Sequence, residues 1–214
     1  MNYSGLAEKT VQTLDCIAQE GAKEIAAAFD LATRTNYIHL VSTFYHYSAP
    51  GETQLLRAAE AAPTNAMKML YIHLARDEAD HDILAIRDLK ALGYKLEPES
   101  KLTAGYHAYW SNFSDEKVIE YLGMNVVIEY LISYLNSCAK TMRERLKLKA
   151  EECTWLQLHC EEDEQHGEAA VKCVKEHINE RFADLMIKGG MGDKRRFVSM
   201  FIDALQNNAS LNPL

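Results

Sequence analysis

Turn-forming residues are scarce in this sequence, with ten glycines and four prolines among 214 residues. An all-β chain of this length needs more turns than those residues supply, so helix is the expected element. Basic blocks are also lacking beyond Lys194-Arg195-Arg196, and 31 acidic against 23 basic residues give a formal net charge of −8. Such a surface repels phosphate backbones, and no nucleic-acid partner is expected. No apolar run approaches the length of a membrane span, so no membrane partner is expected either. The five cysteines, Cys16, Cys138, Cys153, Cys160 and Cys173, form no C-x-x-C pair. Without a signal peptide ahead of them they read as reduced thiols in a cytoplasmic protein.

What is present is an ordinary globular balance, 48% hydrophobic and 25% charged, with no repeat, low-complexity tract or linker. A single all-α domain over residues 1–214 is the expected organisation. Helical periodicity predicts helices over 10–30, 35–49, 52–62, 64–92, 103–112, 114–148, 151–187 and 193–207. In this reading Gly189-Gly190-Met191-Gly192 is a hinge between the last two.

Three of these helices place charge where apolar groups belong. Along 64–92 the stripe Leu70, Leu74, Glu78, His81, Ala85 advances in steps of four, four, three and four, which stacks the side chains on one face. A Glu-x-x-His pair at that spacing can aim a carboxylate and an imidazole at one point, as in di-iron carboxylate bundles. The bland alternative is a surface pair within the acidic run from Asp77 to Asp82. On 114–148, Glu129 is surrounded by Val126, Val127, Ile128, Tyr130, Leu131 and Ile132. A carboxylate in a helix that is apolar all round must be protonated or meet a cation, because burying its charge unpaired costs several kcal/mol. No Lys or Arg lies within a helical turn of it, although one could come from elsewhere in the fold.

The third helix carries His159-x-x-x-Asp163-x-x-His166, with Trp155 above and Ala170 and Cys173 below on the same face. Two imidazoles and a carboxylate from one helix form a donor set suited to iron, with Glu162 on an adjacent face as an alternative carboxylate. The competing reading is a solvated acidic helix with incidental histidines. Taken together, the three helices point to a metal cluster.

The segment from Met69 to Gly93, the triplet Tyr45-His46-Tyr47, the segment from Gly123 to Glu129 and the motif His159-x-x-x-Asp163-x-x-His166 resemble the haem-oxygenase-like di-iron oxidases. The resemblance covers roughly residues 30 to 180. It implies a haem-oxygenase-like multi-helix bundle that binds two irons (Fe2+) and uses O2 to oxidise a small, amino-acid-like substrate by N-hydroxylation or oxidative C–C cleavage. Carried over by position, the ligands would be Glu78, His81, Glu129, His159, Asp163 and His166. The family's further carboxylate, from the helix before Glu78, has no obvious counterpart; His46, or His39 one heptad earlier, could stand in its place.

Asn125, Tyr130 and Tyr45 are candidates for orienting the ligands, with simple core packing as the alternative. Two rival functions remain. One is a thiaminase-II-like, metal-free enzyme using Cys138 as nucleophile, and the other is a non-catalytic iron-binding protein. Tyr106, Tyr109, Trp110 and Phe113 give the short helix more aromatic surface than a solvated helix needs, from which a homodimer is expected.

Overall fold

The computed structural model describes residues 3–214, and the side chains of residues 5–159 and 167–214. Among the described residues nine α-helices follow one another: α1 (Tyr3–Leu31), α2 (Arg34–Ser48), α3 (Gly51–Ala61), α4 (Asn65–Asp77), α5 (His81–Leu92), α6 (Lys101–Tyr109), α7 (Asp115–Leu146), α8 (Thr154–His177) and α9 (Glu180–Gln206). A single 3-10 turn, Ala150–Glu152, precedes α8. The all-α class expected from the sequence is observed.

Side-chain caps set many of the helix starts. Thr33, Thr64, Ser100, Ser114 and Asn179 each accept a hydrogen bond from a backbone N–H in the first turn that follows, satisfying a donor that the helix itself cannot. Gly93 (φ 87°) ends α5 in the left-handed conformation that glycine adopts without a Cβ penalty.

The long helices α1, α7 and α9 pack on one another, and α8 lies along α7. The pairs α3–α4 and α2–α5 complete the bundle. Helix α7 is long and apolar enough to cross a membrane by composition alone, contrary to the expectation that no segment would be. In its most apolar window 83% of residues are buried, as befits the central helix of a bundle.

Three predicted boundaries are corrected. The helix expected over 64–92 breaks at Glu78–Asp80, where Asp80 adopts the left-handed conformation (φ 66°). Asp tolerates that region better than most residues, and the break carries no Gly or Pro to announce it. The helix expected over 151–187 breaks at Ile178, whose extended backbone leads into the Asn179 cap. The glycine run is not a hinge, since Gly189, Gly190 and Gly192 all lie inside α9. A Cβ on Gly189 would fall 2.0 Å from the Glu120 carbonyl oxygen, and one on Gly123 would fall 2.0 Å from that of Met186. These two glycines let α7 and α9 touch backbone to backbone.

Of the four aromatic side chains in and after α6, Tyr106 and Trp110 are buried in the chain's own core, while Tyr109 and Phe113 are half-buried.

Candidate metal centre

The break between α4 and α5 positions the first two donors. Glu78 caps the C-terminal end of α4 and His81 is the first residue of α5. Across the turn, Glu78 Oε2 and His81 Nδ1 are 2.9 Å apart. The pair thus sits at the junction of two helix ends rather than along the flank of one helix.

His159 on α8 supplies the third donor. One donor atom each from Glu78, His81 and His159 lie within 4.8 Å of one another, and both histidines are buried. A cluster of this size could hold one metal ion. His81 and His159 meet edge to face, with ring centroids 4.8 Å apart.

The orientation of His159 is strongly determined. Its Nδ1 lies 2.8 Å from the Trp155 carbonyl oxygen, one helical turn back. A carbonyl can only accept, so Nδ1 carries the proton and, in the neutral ring, the lone pair belongs to Nε2. This is the arrangement by which metal-ligating histidines are fixed. The imidazole also stacks on Trp155 (3.6 Å, 20°), and Trp155 stacks in turn on Phe44 (3.8 Å, 15°). The Trp155 indole N–H donates to Ser48 Oγ at 2.9 Å.

Helix α8 is held from outside by Asp88. The two oxygens of this fully buried carboxylate accept from the backbone N–H groups of Thr154 and Trp155, each at 2.9 Å. Burial pushes the Asp88 carboxyl above the ordinary carboxylate range, against the opposing pull of these hydrogen bonds. Because His81 and Asp88 share α5, this grip sets the position of α8 along α5, and so places His159 beside His81. In the sequence, one step of three beyond Ala85 along the stripe of Glu78 and His81 reaches Asp88, and that spacing is the signal by which it can be found.

Glu129 is buried on α7, as expected, and shares a cavity of about 60 Å³ with Glu78. One water needs roughly 10–15 Å³ of such space, so there is room for a few waters or a small ligand beside these carboxylates. Tyr47, Tyr106, Tyr121, Gln54 and Asn125 line the remainder. Burial raises the tyrosine hydroxyls well above their usual range, which keeps them protonated hydrogen-bond donors. Asn125 is occupied, donating to the Tyr121 carbonyl at 2.8 Å. Tyr130 lies against Gly167 of α8; a Cβ there would meet its ring at 3.1 Å and Glu129 Cβ at 3.3 Å. Gly167 therefore allows α8 to lie close over Glu129.

The remaining expectations fare differently. Asp163, His166 and the alternative Glu162 lie outside the described side chains. His46 does not join Glu78 and His81: its Nε2 meets the Glu97 carbonyl oxygen at 2.7 Å. His39 is likewise turned to the Glu97 carboxylate. Both histidines secure the loop after α5: on α2 they sit on the side that meets Glu97, whereas the α2 residues that line the cavity of Glu78 are Tyr47 and Ser48. Tyr45 packs against His46, with ring centroids 5.1 Å apart.

Cys138 also stands apart. Nine residues beyond Glu129 on a regular helix is half a turn out of phase and about 13 Å along the axis. Accordingly, Cys138 lines a depression with Gln19, Ala22, Lys23, Ala26 and Tyr134, on the α1 side of α7.

Against known proteins, the whole-chain fold is similar to that of a domain of unknown function with a haem oxygenase-like fold from Shewanella denitrificans. The TM-score is 0.74 at 16% identity, covering 95% of this chain and 92% of that one. A TenA homologue from P. horikoshii superposes with a TM-score of 0.71 at 12% identity over 93% of this chain and 97% of its own. A TenA family transcription regulator from Silicibacter sp. gives 0.66 at 10% identity, covering 92% and 97%. At these identities the likeness establishes the haem oxygenase-like fold alone. A search of the curated proteins finds no match. Residues 38–187, which include Glu78, His81, Glu129 and His159, match the family described as iron-containing redox enzymes. The chain therefore belongs to the iron-containing redox enzyme family.

Proposed function

We propose that this protein is a non-haem di-iron oxidase or oxygenase that uses dioxygen to oxidise a small molecule bound beside Glu78 and Glu129. The observation that carries the reading is the convergence of Glu78, His81 and His159, with His159 held in the tautomer that ligation requires. Hard carboxylate oxygens and imidazole nitrogens are a donor set that suits iron. Glu78, His81 and His159 would hold one ion; Glu129, across the shared cavity, would take part in the second, with Asp163 and His166 as the ligands the family resemblance adds.

Bound iron would supply the redox chemistry with dioxygen that none of these side chains can perform alone. The chain's own contribution is positional. Asp88 and the Phe44–Trp155–His159 stack keep the imidazole pointed, and burial on α7 confines the Glu129 carboxylate to the small cavity it shares with Glu78. The high-lying hydroxyls of Tyr47, Tyr106 and Tyr121 supply neutral donors around a small ligand. The enclosed volume favours a small substrate, and an amino-acid-like one is consistent with the family resemblance.

The test is anaerobic ferrous titration followed by a measured oxygen pulse. Two ferrous ions per chain and stoichiometric oxygen uptake are expected, with Glu129→Ala abolishing uptake and Cys138→Ala leaving it intact. Ferrous binding without oxygen uptake would make the protein an iron store or sensor. Loss of activity on a thiamin-like pyrimidine in Cys138→Ala, with no iron bound, would put metal-free nucleophilic chemistry in its place.

A further inference from the structure

On the outer side of Tyr106 the chain forms a second, more open cavity of about 420 Å³ between α6 and α9. Its volume lies in the range of small-molecule sites. Lys101, Arg195, Arg196 and Ser199 contribute its polar groups, and Leu102, Gly105, Tyr106 and Gly192 its apolar floor. Tyr106 lines both this groove and the cavity of Glu78 and Glu129, and is the wall between them.

Two features set the groove apart from ordinary surface. The first is charge. In a chain with a formal net charge of −8, three cations line one cavity, and among the described residues neither Lys101 nor Arg195 is paired with a carboxylate. Arg196 is held in place, donating to the Gly192 carbonyl at 2.7 Å and lying 3.5 Å over the Tyr109 ring. A guanidinium fixed this way keeps its other N–H donors in a set direction at little entropic cost. Lys194, by contrast, is engaged by Glu20 and Glu24 and is not counted.

The second feature is Gly105. It lies inside the nine-residue helix α6, where glycine is disfavoured. No packing requires it, because a Cβ built there meets nothing within 4 Å. Gly189 and Gly123 are explained by close helix contact; Gly105 is not. What its missing side chain does leave open is the groove.

We propose that the α6–α9 groove is a binding site for a small molecule with an oxyanion head, carboxylate or phosphate, on an apolar body. Arg195, Arg196 and Lys101 take the head, and the body lies over Gly105 against Leu102 and Tyr106. This site is separate from the metal centre and does not depend on the redox reading.

The experiment uses the metal-free full-length chain titrated with hexanoate, hexyl phosphate and hexanol, followed by calorimetry and by amide shifts. Saturable binding of hexanoate or hexyl phosphate is expected, with hexanol failing to bind, and the tighter of the two acids identifies the head. Replacing both arginines (Arg195→Gln with Arg196→Gln) should weaken binding by about tenfold or more, since each removes a charge-assisted contact. Gly105→Leu should block the groove. Gly105→Ala should fold normally and raise Tm by roughly 1–4 °C, as removing a helical glycine without a steric role does. Hexanol binding as well as the acids, no binding by either acid, or unaltered affinity in the arginine or Gly105→Leu variants would each overturn the proposal. Because iron is absent throughout, failure of iron-dependent oxygen uptake leaves this result untouched.

Discussion

Replacing Asp88 by alanine tests whether the metal centre is positioned by a contact far from the donors themselves. Two buried or half-buried backbone N–H groups at the start of α8 would lose their acceptor. Charge-assisted hydrogen bonds contribute about 1.5–3 kcal/mol each, and relief of the carboxylate's own desolvation offsets part of that, leaving a net loss of about 2–4 kcal/mol. For a chain of this size each kcal/mol corresponds to roughly 2–4 °C, so Tm should fall by about 5–15 °C. Asparagine is not a faithful substitute, since its amide NH2 would face a backbone donor. The loosened α8 should also let His159 drift from His81, and Co2+ or Fe2+ affinity should weaken by more than about tenfold. Calorimetric melting and metal titration of the same variant read the two effects. A variant with Tm within 2 °C of the parent and unchanged metal affinity would refute the argument that Asp88 fixes α8.

Two other consequences are open to measurement. Asp193 is fully buried, and burial pushes its carboxyl up to about 7 even though the Trp110 indole N–H, donating at 2.8 Å, favours the charged form. The folded state thus keeps a proton that the unfolded chain releases near pH 4. Stability should decline as pH rises from about 4 to about 7, by at most about 4 kcal/mol, relative to Asp193→Asn in parallel denaturant titrations; a constant difference across that window would contradict it. Gly189→Ala should destabilise by about 3 kcal/mol or more despite its better helix propensity, because the Cβ would lie 2.0 Å from the Glu120 carbonyl oxygen and the backbones of α7 and α9 would have to separate. An unfolding midpoint raised rather than lowered would show that the helix contact is not tight.

Much of the architecture was legible in the sequence because it rests on local periodicity. The scarcity of turn residues, the helical stripes and the Ser and Thr caps determine an all-α chain, and the apolar neighbours of Glu129 determine that its carboxylate is buried. The steps between Glu78 and His81 and along the helix of His159 likewise mark these residues as inward-facing. Tertiary structure decided what periodicity cannot encode. The α4–α5 break depends on a left-handed Asp80, a conformation stabilised by what surrounds it and not announced by residue type. The glycines of α9 look the same in sequence whether they bend a helix or let a second backbone approach, and only the position of Glu120 distinguishes the two. His46 has the residue type of a ligand, yet the loop carrying Glu97 captures it first. Asp88 caps a helix more than sixty residues away, a relation that exists only once α5 and α8 are packed together.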